Sequence, residues 1–252
     1  MIEVAGLVRV LGKKKEQKRV IDDLSFTAPA DAITGLLGPN GAGKTTTMRI
    51  LATLLRPSEG TARVGGYSVV DEPLAVRRCI GLVTEEPGLH DRLTPRELLL
   101  FAASACGLSS DKAEERLRHL SALVGLDAHL DTRCGRLSKG NRQKVSLVRA
   151  LIHDPPVLLL DEPTANMDVL ATDAFHELLL DPELRAGKTV LLSSHSIDEV
   201  DRLADRVVGI AAGRLALEGT RAEIAARDDA GDFRRAVVTI LGQTVLAREP
   251  VL

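Results

Sequence analysis

One stretch of the sequence has the residue types and spacing of a phosphate-binding loop. Residues Gly38 to Thr46 read GPNGAGKTT and match the pattern G-x-x-x-x-G-K-[ST]. Glycines allow the backbone N–H groups to wrap a phosphate, and a following helix N-terminus adds the positive end of its dipole. An ordinary glycine-rich turn is the alternative, but the complete pattern favours a nucleoside triphosphate site. Its candidate nucleotide-binding residues are Asn40, Gly41, Ala42, Gly43, Lys44, Thr45 and Thr46.

Within this loop, two side chains have distinct expected roles. Lys44 would place a point charge on the outer phosphates, and the Thr45 hydroxyl would bind Mg²⁺. A second group of polar residues follows the apolar run Val157 to Leu160. There, Asp161 is a candidate Mg²⁺ ligand, and Glu162 is a candidate general base for the water that attacks the γ-phosphorus. Two acids at a strand end are a weak signal alone, but they become informative downstream of a phosphate loop.

A third polar segment precedes the helix predicted from Asn141 to His153. Ser138 can cap that helix, which would leave N-terminal N–H groups free for an anion. Capping without any ligand is the simpler alternative.

Alternating short apolar strands and amphipathic helices position these residues. The pattern predicts an α/β fold with a mostly parallel sheet covered on both faces. Residues 2–10 predict an edge strand, and the charged run from Lys13 to Arg19 predicts a solvated turn. Two helices are expected from about Thr94 to Leu126, where Thr94-Pro95-Arg96-Glu97 forms a helix start. In the tail, Val237 to Leu241 resembles a strand.

Composition excludes several classes of protein. The 252 residues include no Trp, one Tyr and four Phe, and their formal net charge is -2, so a broad nucleic-acid-binding face is not expected. The three cysteines form no C-x-x-C pair, which argues against a disulfide framework or a zinc site. A secretory signal and a long apolar run are both missing from the sequence, so we expect a cytoplasmic protein.

The same motifs, in this order, resemble those of the ATP-binding subunits of ABC transporters. The loop from Gly38 to Thr46 is similar to their Walker A motif, and Leu158 to Glu162 to their Walker B motif. The segment 137–141 resembles their LSGGQ signature, with Lys139 and Asn141 in place of Gly and Gln. The segment 163–168 is similar to their D-loop, and His195 lies where they have a switch histidine.

This resemblance implies a fold and its boundaries. It implies a RecA-like P-loop NTPase core, an N-terminal antiparallel β subdomain and an inserted α-helical subdomain at about residues 90–150. The ATPase domain would span residues 1–220, and residues 221–252 would form a short C-terminal tail.

The resemblance also implies site residues and partners. Glu162, His195 and Lys44 would act in Mg²⁺-dependent ATP hydrolysis, with His195 contacting the γ-phosphate. Two subunits would sandwich two ATP molecules, so that Ser138 and Gly140 of one copy close over ATP held by the other. Further positions complete the expected site: Glu85 replaces the Q-loop glutamine as a potential metal ligand, and Leu11 and Val20 would contact the base.

Several local stretches look like the ABC-2 type exporter ATPases of the sodium-extrusion and drug-resistance kind. They imply a subunit that lies on the inner face of the cell membrane and energises a separate integral-membrane permease. A soluble ABC ATPase that acts on ribosomes, DNA or other cytosolic machinery is the alternative. A metabolite kinase would leave Ser138 and His195 unexplained.

Overall fold

The computed structural model describes residues 1–12, 17–165 and 167–246. Within these residues the chain forms ten β-strands and ten α-helices. The strands are β1 (Ile2–Leu11), β2 (Lys18–Ala28), β3 (Ile33–Leu37), β4 (Glu59–Val64), β5 (Tyr67–Ser68), β6 (Ile80–Val83), β7 (Val157–Asp161), β8 (Thr189–Ser194), β9 (Arg206–Ala211) and β10 (Arg214–Thr220). The helices are α1 (Lys44–Leu51), α2 (Pro73–Cys79), α3 (Pro95–Ala105), α4 (Ser110–Val124), α5 (Lys139–Leu151), α6 (Val169–Leu180), α7 (Pro182–Arg185), α8 (Ile197–Leu203), α9 (Arg221–Ala225) and α10 (Phe233–Leu246).

A six-stranded sheet forms the centre of the fold, with strand order β10-β9-β3-β8-β7-β6. Its pairs are parallel except for β9 with β10. Strands β3, β7 and β8 are buried along their whole length, as expected when helices cover both faces of a parallel sheet. The carboxyl ends of these three neighbouring strands therefore meet at one edge, which is the side where ligands bind in such sheets.

A second, four-stranded antiparallel sheet has the order β2-β1-β4-β5. The prediction of an edge strand at residues 2–10 is wrong, because β1 pairs with β2 on one side and β4 on the other. An alternating apolar pattern indicates that one face of a strand is buried. Interior and edge strands of an antiparallel sheet both show this pattern, so it does not tell them apart. β4 and β5 pair as an antiparallel hairpin across Gly65-Gly66.

Three helices, α3, α4 and α5, follow β6 in the region predicted to be a helical insert. Thr94 and Glu97 form the expected capping box at the start of α3. The apolar faces of the three helices share one core with the face of the central sheet that carries Leu158 and Leu160. The α/β architecture is thus the predicted one, whereas the division of the chain into a domain and a tail at residue 220 stays a prediction.

The tail differs from its prediction. Residues Val237 to Leu241 belong to α10 and not to a strand. The residues of α10 that pack on α8, α9 and β10 recur at intervals of three and four, which is helical spacing: Phe233, Ala236, Val237, Ile240 and Leu241. Of the charged run from Lys13 to Arg19 that was predicted to be a turn, residues 13–16 lie outside the described residues, as does the D-loop residue Asn166, whereas Lys18 and Arg19 belong to β2. Every helix in the described part of the chain is too short or too polar to cross a lipid bilayer.

Candidate functional site

A cleft of about 440 Å³ lies at the carboxyl ends of β3 and β7 and is also lined by His195, the residue that follows β8. It contains most of the predicted nucleotide-binding residues. The residues that line it are Val20, Asn40, Gly41, Ala42, Gly43, Lys44, Thr45, Thr46, Glu85, Glu162, Ala165 and His195.

The phosphate-binding loop joins β3 to α1 and presents backbone donors to this cleft. Helix α1 begins after Gly43, whose φ of 108° lies in the left-handed region that glycine tolerates. No side chain in the described part of the chain caps this helix. The first N–H groups of α1, which have no acceptor within the helix, therefore face the cleft as an anion-binding site.

The side chain of Lys44 is only 5 % exposed, and three contacts hold its ammonium group in place. Its Nζ donates to the carbonyl oxygen of Gly38 at 2.7 Å and to that of Pro39 at 3.3 Å. The same Nζ lies 3.2 Å from Glu162 Oε1. The carbonyl and carboxylate oxygens around it satisfy the hydrogen bonds of the buried Nζ, so the loop holds this group in a preorganised position.

Glu162 follows β7 in a strained backbone conformation. Its φ is 47°, in the left-handed region, which costs an L-residue about 1–2 kcal/mol. The Glu162 N–H donates to the carbonyl oxygen of Ser193 at 3.2 Å and to its hydroxyl at 3.1 Å. These bonds to β8 hold the turn, which aims the Glu162 carboxylate at Lys44 and at His195. The second contact joins Glu162 Oε2 to His195 Nδ1 at 2.8 Å.

Asp161 and Thr45 form a cluster of oxygen atoms beside the loop. The Thr45 hydroxyl donates to Asp161 Oδ1 at 3.2 Å, and the Ser193 hydroxyl donates to the same oxygen at 2.7 Å. Burial raises the pKa of Asp161, against the opposing effect of these two hydrogen bonds. A carboxylate and a hydroxyl beside a phosphate site are a donor set that fits Mg²⁺, which takes few protein ligands and completes its shell with phosphate and water oxygens. Glu85 lies on the wall of the same cleft.

The two predicted base-binding residues occupy different places. Val20 lines the cleft, and its carbonyl oxygen packs against the loop at Gly43. Leu11 is the last residue of β1, has a side chain that is 36 % exposed, and does not line the cleft. Within the described residues, apolar contact with a base is therefore available from Val20.

Ser138 and Gly140 also lie away from the Lys44 cleft, at the N-terminus of α5. The Ser138 hydroxyl accepts a hydrogen bond from the Asn141 N–H at 3.2 Å, so the predicted cap is confirmed. At Gly140, a Cβ would lie 3.2 Å from the Cβ of Ala171 on α6. Within one copy of the chain, these two residues therefore do not reach the phosphate-binding loop.

Two polar residues at the site were not predicted. Ser193 binds both the Glu162 backbone and the Asp161 carboxylate. Gln143 of α5 is buried and donates to the carbonyl oxygen of Thr84 at 3.1 Å, which ties the segment that carries Glu85 to the helix that begins after Ser138. The available sequence signals were a polar residue at the end of the apolar run 190–192 and a Gln on the apolar face of α5.

Comparison with known proteins agrees with this geometry. The family model described as ABC transporter matches residues 21–165. The chain is 39 % identical over 220 residues to the ABC transporter ATP-binding protein NatA of Bacillus subtilis, with 87 % of this chain and 89 % of that protein covered. It is also 39 % identical to the daunorubicin/doxorubicin resistance ATP-binding protein DrrA of Streptomyces peucetius, with 88 % and 66 % covered.

A solved structure of an ATP-binding subunit of an ABC transporter has the same fold. Its TM-score is 0.83 at 33 % sequence identity, and the match covers 95 % of this chain and 99 % of that one. The predicted resemblance, including its NatA-like and drug-resistance-like character, is confirmed. The chain belongs to the ABC transporter family and is one of its ATP-binding, ATP-hydrolysing proteins.

Proposed function

We propose that this protein is the ATP-hydrolysing subunit of an ABC-2 type exporter and that a separate membrane permease carries the cargo. The single observation that supports hydrolysis at the cleft best is the contact chain from Lys44 through Glu162 to His195, at 3.2 and 2.8 Å. It places a cation, a carboxylate and an imidazole beside one phosphate-binding loop.

Each of these residues has a role in the proposed mechanism. Lys44 and the first N–H groups of α1 bind the β- and γ-phosphates and neutralise their charge. Glu162 accepts the proton of the attacking water, and His195 contacts the γ-phosphate. Val20 contacts the base, and the loop residues from Asn40 to Thr46 wrap the phosphates.

Mg²⁺ would be held by Thr45 and Asp161, with Glu85 as a further carboxylate. When bound, the ion neutralises charge on the phosphate oxygens. Asp161 must be ionised to bind it. Burial raises the pKa of Asp161, and a bound cation would act in the opposite direction by favouring the ionised form.

A second copy of the chain would complete the site. Ser138 and Gly140 lie at the uncovered N-terminus of α5, away from the Lys44 cleft of their own copy. In the proposed homodimer, they close over the ATP bound to the partner, so that ATP joins the two copies until the γ-phosphate leaves. The dimer and the permease would place the protein at the inner face of the membrane.

Export is proposed from the relatives. One of them is named for resistance to daunorubicin and doxorubicin, and a transporter confers resistance when it removes a drug from the cell. The chain contributes no bilayer-spanning helix among its described residues, so the path of a sodium ion or a drug would run through the permease. Co-purification from detergent extracts tests this step. A multi-span partner supports the proposal, whereas ribosomes or DNA would support the alternative of a cytosolic ABC ATPase.

The Glu162→Gln variant tests the mechanism, because glutamine keeps the shape of the side chain and removes the base. Hydrolysis should fall about 10²–10⁴-fold, while ATP binding persists and an ATP-bound dimer becomes long-lived in size-exclusion chromatography. Glu183→Gln, at an exposed carboxylate paired with His119, is the matched control. Hydrolysis by Glu162→Gln at the parent rate would refute the assignment of the base.

A further inference from the structure

A buried carboxylate outside the phosphate-binding loop connects the two segments that carry Glu162 and His195. Glu199 of α8 is 7 % exposed, and both of its carboxylate oxygens have partners. Oε1 accepts from the Thr164 hydroxyl at 2.6 Å and lies 2.8 Å from His176 Nε2. Oε2 accepts from the Ser194 hydroxyl at 2.5 Å.

This carboxylate is ionised in the folded protein. Burial raises the pKa of Glu199, but the hydrogen bonds from His176, Ser194 and Thr164 together bring it below its ordinary value. An ionised carboxylate only accepts hydrogen bonds, so the N–H of His176 lies at Nε2 and donates a hydrogen bond to Oε1. The network is therefore fully satisfied: a charged acceptor is surrounded by three side-chain donors from other elements.

The positions of these donors give the network its significance. Thr164 lies two residues after Glu162, and Ser194 immediately precedes His195. The Ser194 hydroxyl also accepts the Ser196 N–H at 2.9 Å, which holds the backbone on the other side of His195. Glu199 thus binds the loop after β7 and the last residue of β8 with one carboxylate, beside the point where Glu162 and His195 meet at 2.8 Å.

His176 fixes the carboxylate from a third side. It belongs to α6, and its side chain is 7 % exposed. Because a buried charge without a full set of partners is strongly unfavourable, the carboxylate cannot move away from any one donor at low cost. Thr164 and Ser194 therefore have one favourable separation.

We propose that Glu199 is a positioning residue for ATP hydrolysis: it sets the distance between the Glu162 and His195 loops and so keeps the base in contact with the imidazole. The proposal rests on the function proposed above for Glu162 and His195. Glu199 acts through these two residues and does not itself line the cleft that contains Lys44.

A kinetic double-mutant cycle tests the proposal. In the parent background, Glu199→Gln should lower kcat about tenfold or more, whereas the Kd for ATP changes by less than about twofold. In a His195→Ala background, the same substitution should change the residual kcat by less than about twofold, because the contact that it positions is already gone. Equal losses in both backgrounds, or an unchanged kcat in the first, would overturn it.

Imidazole ¹⁵N NMR of the histidines gives a readout that does not depend on activity. His195 is assigned from the His195→Gln variant, and its ring shifts should move in Glu199→Gln as its contact with Glu162 loosens. Glu177→Gln, which removes an exposed partner of Arg202 on the neighbouring face of α6, is the matched control and should leave them unchanged. Parent-like His195 shifts in Glu199→Gln would contradict the proposal.

A milder variant covers the case in which Glu199→Gln fails to fold. Thr164→Val keeps the shape of the side chain and removes one donor, so it should move the His195 shifts and kcat in the same direction by a smaller amount. No change in either quantity would count against the proposal.

The proposed function can fail separately from the positioning role. If Glu162→Gln and His195→Ala both hydrolyse ATP at the parent rate, the function assigned to the cleft fails, whereas the NMR shifts of His195 still report on the positioning role alone.

Discussion

The substitution Gly38→Ala tests how the phosphate-binding loop is positioned on the sheet. A Cβ at Gly38 would lie 2.2 Å from the carbonyl oxygen of Ile210 in β9 and 3.2 Å from the Cβ of Ala42. Ile210 belongs to a strand that pairs with both β3 and β10, so its backbone cannot retreat independently. The loop must move instead, by about 1 Å, to bring the new contact to an ordinary separation.

The expected loss has two parts. Overpacking of this kind costs about 1–3 kcal/mol in the free energy of unfolding. Lys44 Nζ donates to the Gly38 carbonyl oxygen at 2.7 Å, and the displacement of the loop also moves this oxygen away from Nζ. Weakening a charge-assisted hydrogen bond by about 1.4 kcal/mol lowers affinity tenfold, so we expect ATP to bind about tenfold more weakly or worse.

Gly41→Ala is the control in the same loop, because Gly41 has no atom within 4 Å of its Cβ position and a φ of 78°. It should lose about 1–2 kcal/mol through backbone strain alone. Asparagine tolerates this conformation, so Gly41→Asn should recover part of the loss, whereas Gly38→Asn should be no better than Gly38→Ala.

Urea unfolding followed by circular dichroism measures the free energies, since the chain has no Trp. Titration with a fluorescent ATP analogue measures the affinities. A Gly38→Ala protein with parent-like stability and parent-like ATP affinity would refute the close-packing argument. A recovery by Gly38→Asn that matches the recovery by Gly41→Asn would show that backbone conformation, and not packing, explains both glycines.

Three further substitutions test other parts of the structure. Phe175→Ala removes a side chain with no exposed surface and should lower the free energy of unfolding by about 3–5 kcal/mol, whereas Phe101→Ala, at a residue 74 % exposed, should change it by less than about 0.5 kcal/mol. Thr94→Ala removes a capping box and should cost about 1 kcal/mol in urea unfolding. Asp154→Asn suits the left-handed φ of 55° and should cost about 0.2–1 kcal/mol at pH 7, because the carboxylate is 65 % exposed and water screens its ion pair with Lys188. The hydrogen bond from Lys188 lowers the pKa of Asp154 in the folded protein, so the stability that this bond confers is present above the ordinary pKa of 3.8 and is lost as pH falls through the folded pKa. The loss of stability in Asp154→Asn should therefore vanish below the folded pKa. A loss that persists at low pH would contradict the role of the Lys188–Asp154 pair.

Local sequence patterns predicted most of the helices and strands and singled out the residues that line the cleft. The loop from Gly38 to Thr46 needs particular residue types because its backbone approaches a phosphate, and these types are visible in any sequence. Residues 157–160 of β7 and 190–192 of β8 are apolar because helices cover both faces of the sheet, so the ends of these strands were also recognisable. Asp161 and Glu162 were therefore singled out from their positions at the end of such a run, and His195 from the place that the family's switch histidine has after a strand.

Contacts between distant segments were not predictable in the same way. Ser193 is a small polar residue at a strand end, and only its pairing register opposite Asp161 makes it a ligand of that carboxylate. Glu199 is one of three acids in a short helix that begins at Ile197. Its sequence neighbours Asp198 and Asp201 bind surface arginines, and nothing in the helix itself distinguishes the buried carboxylate from the exposed ones. Burial by α6 makes that distinction.

The order of strands explains why His195, the last residue of the site along the chain, lies beside Lys44 and Glu162. Strand β8 lies between β3 and β7. It therefore separates the strand that leads to Lys44 from the strand that leads to Glu162, and the residue after β8 is His195. Lys44 and Glu162 are in contact across this middle strand at 3.2 Å, and the Glu162 carboxylate lies between the Lys44 ammonium and the His195 imidazole. The two hydrogen bonds from the Glu162 N–H to Ser193 of β8 hold the positive φ of Glu162 and so keep its carboxylate between these two partners.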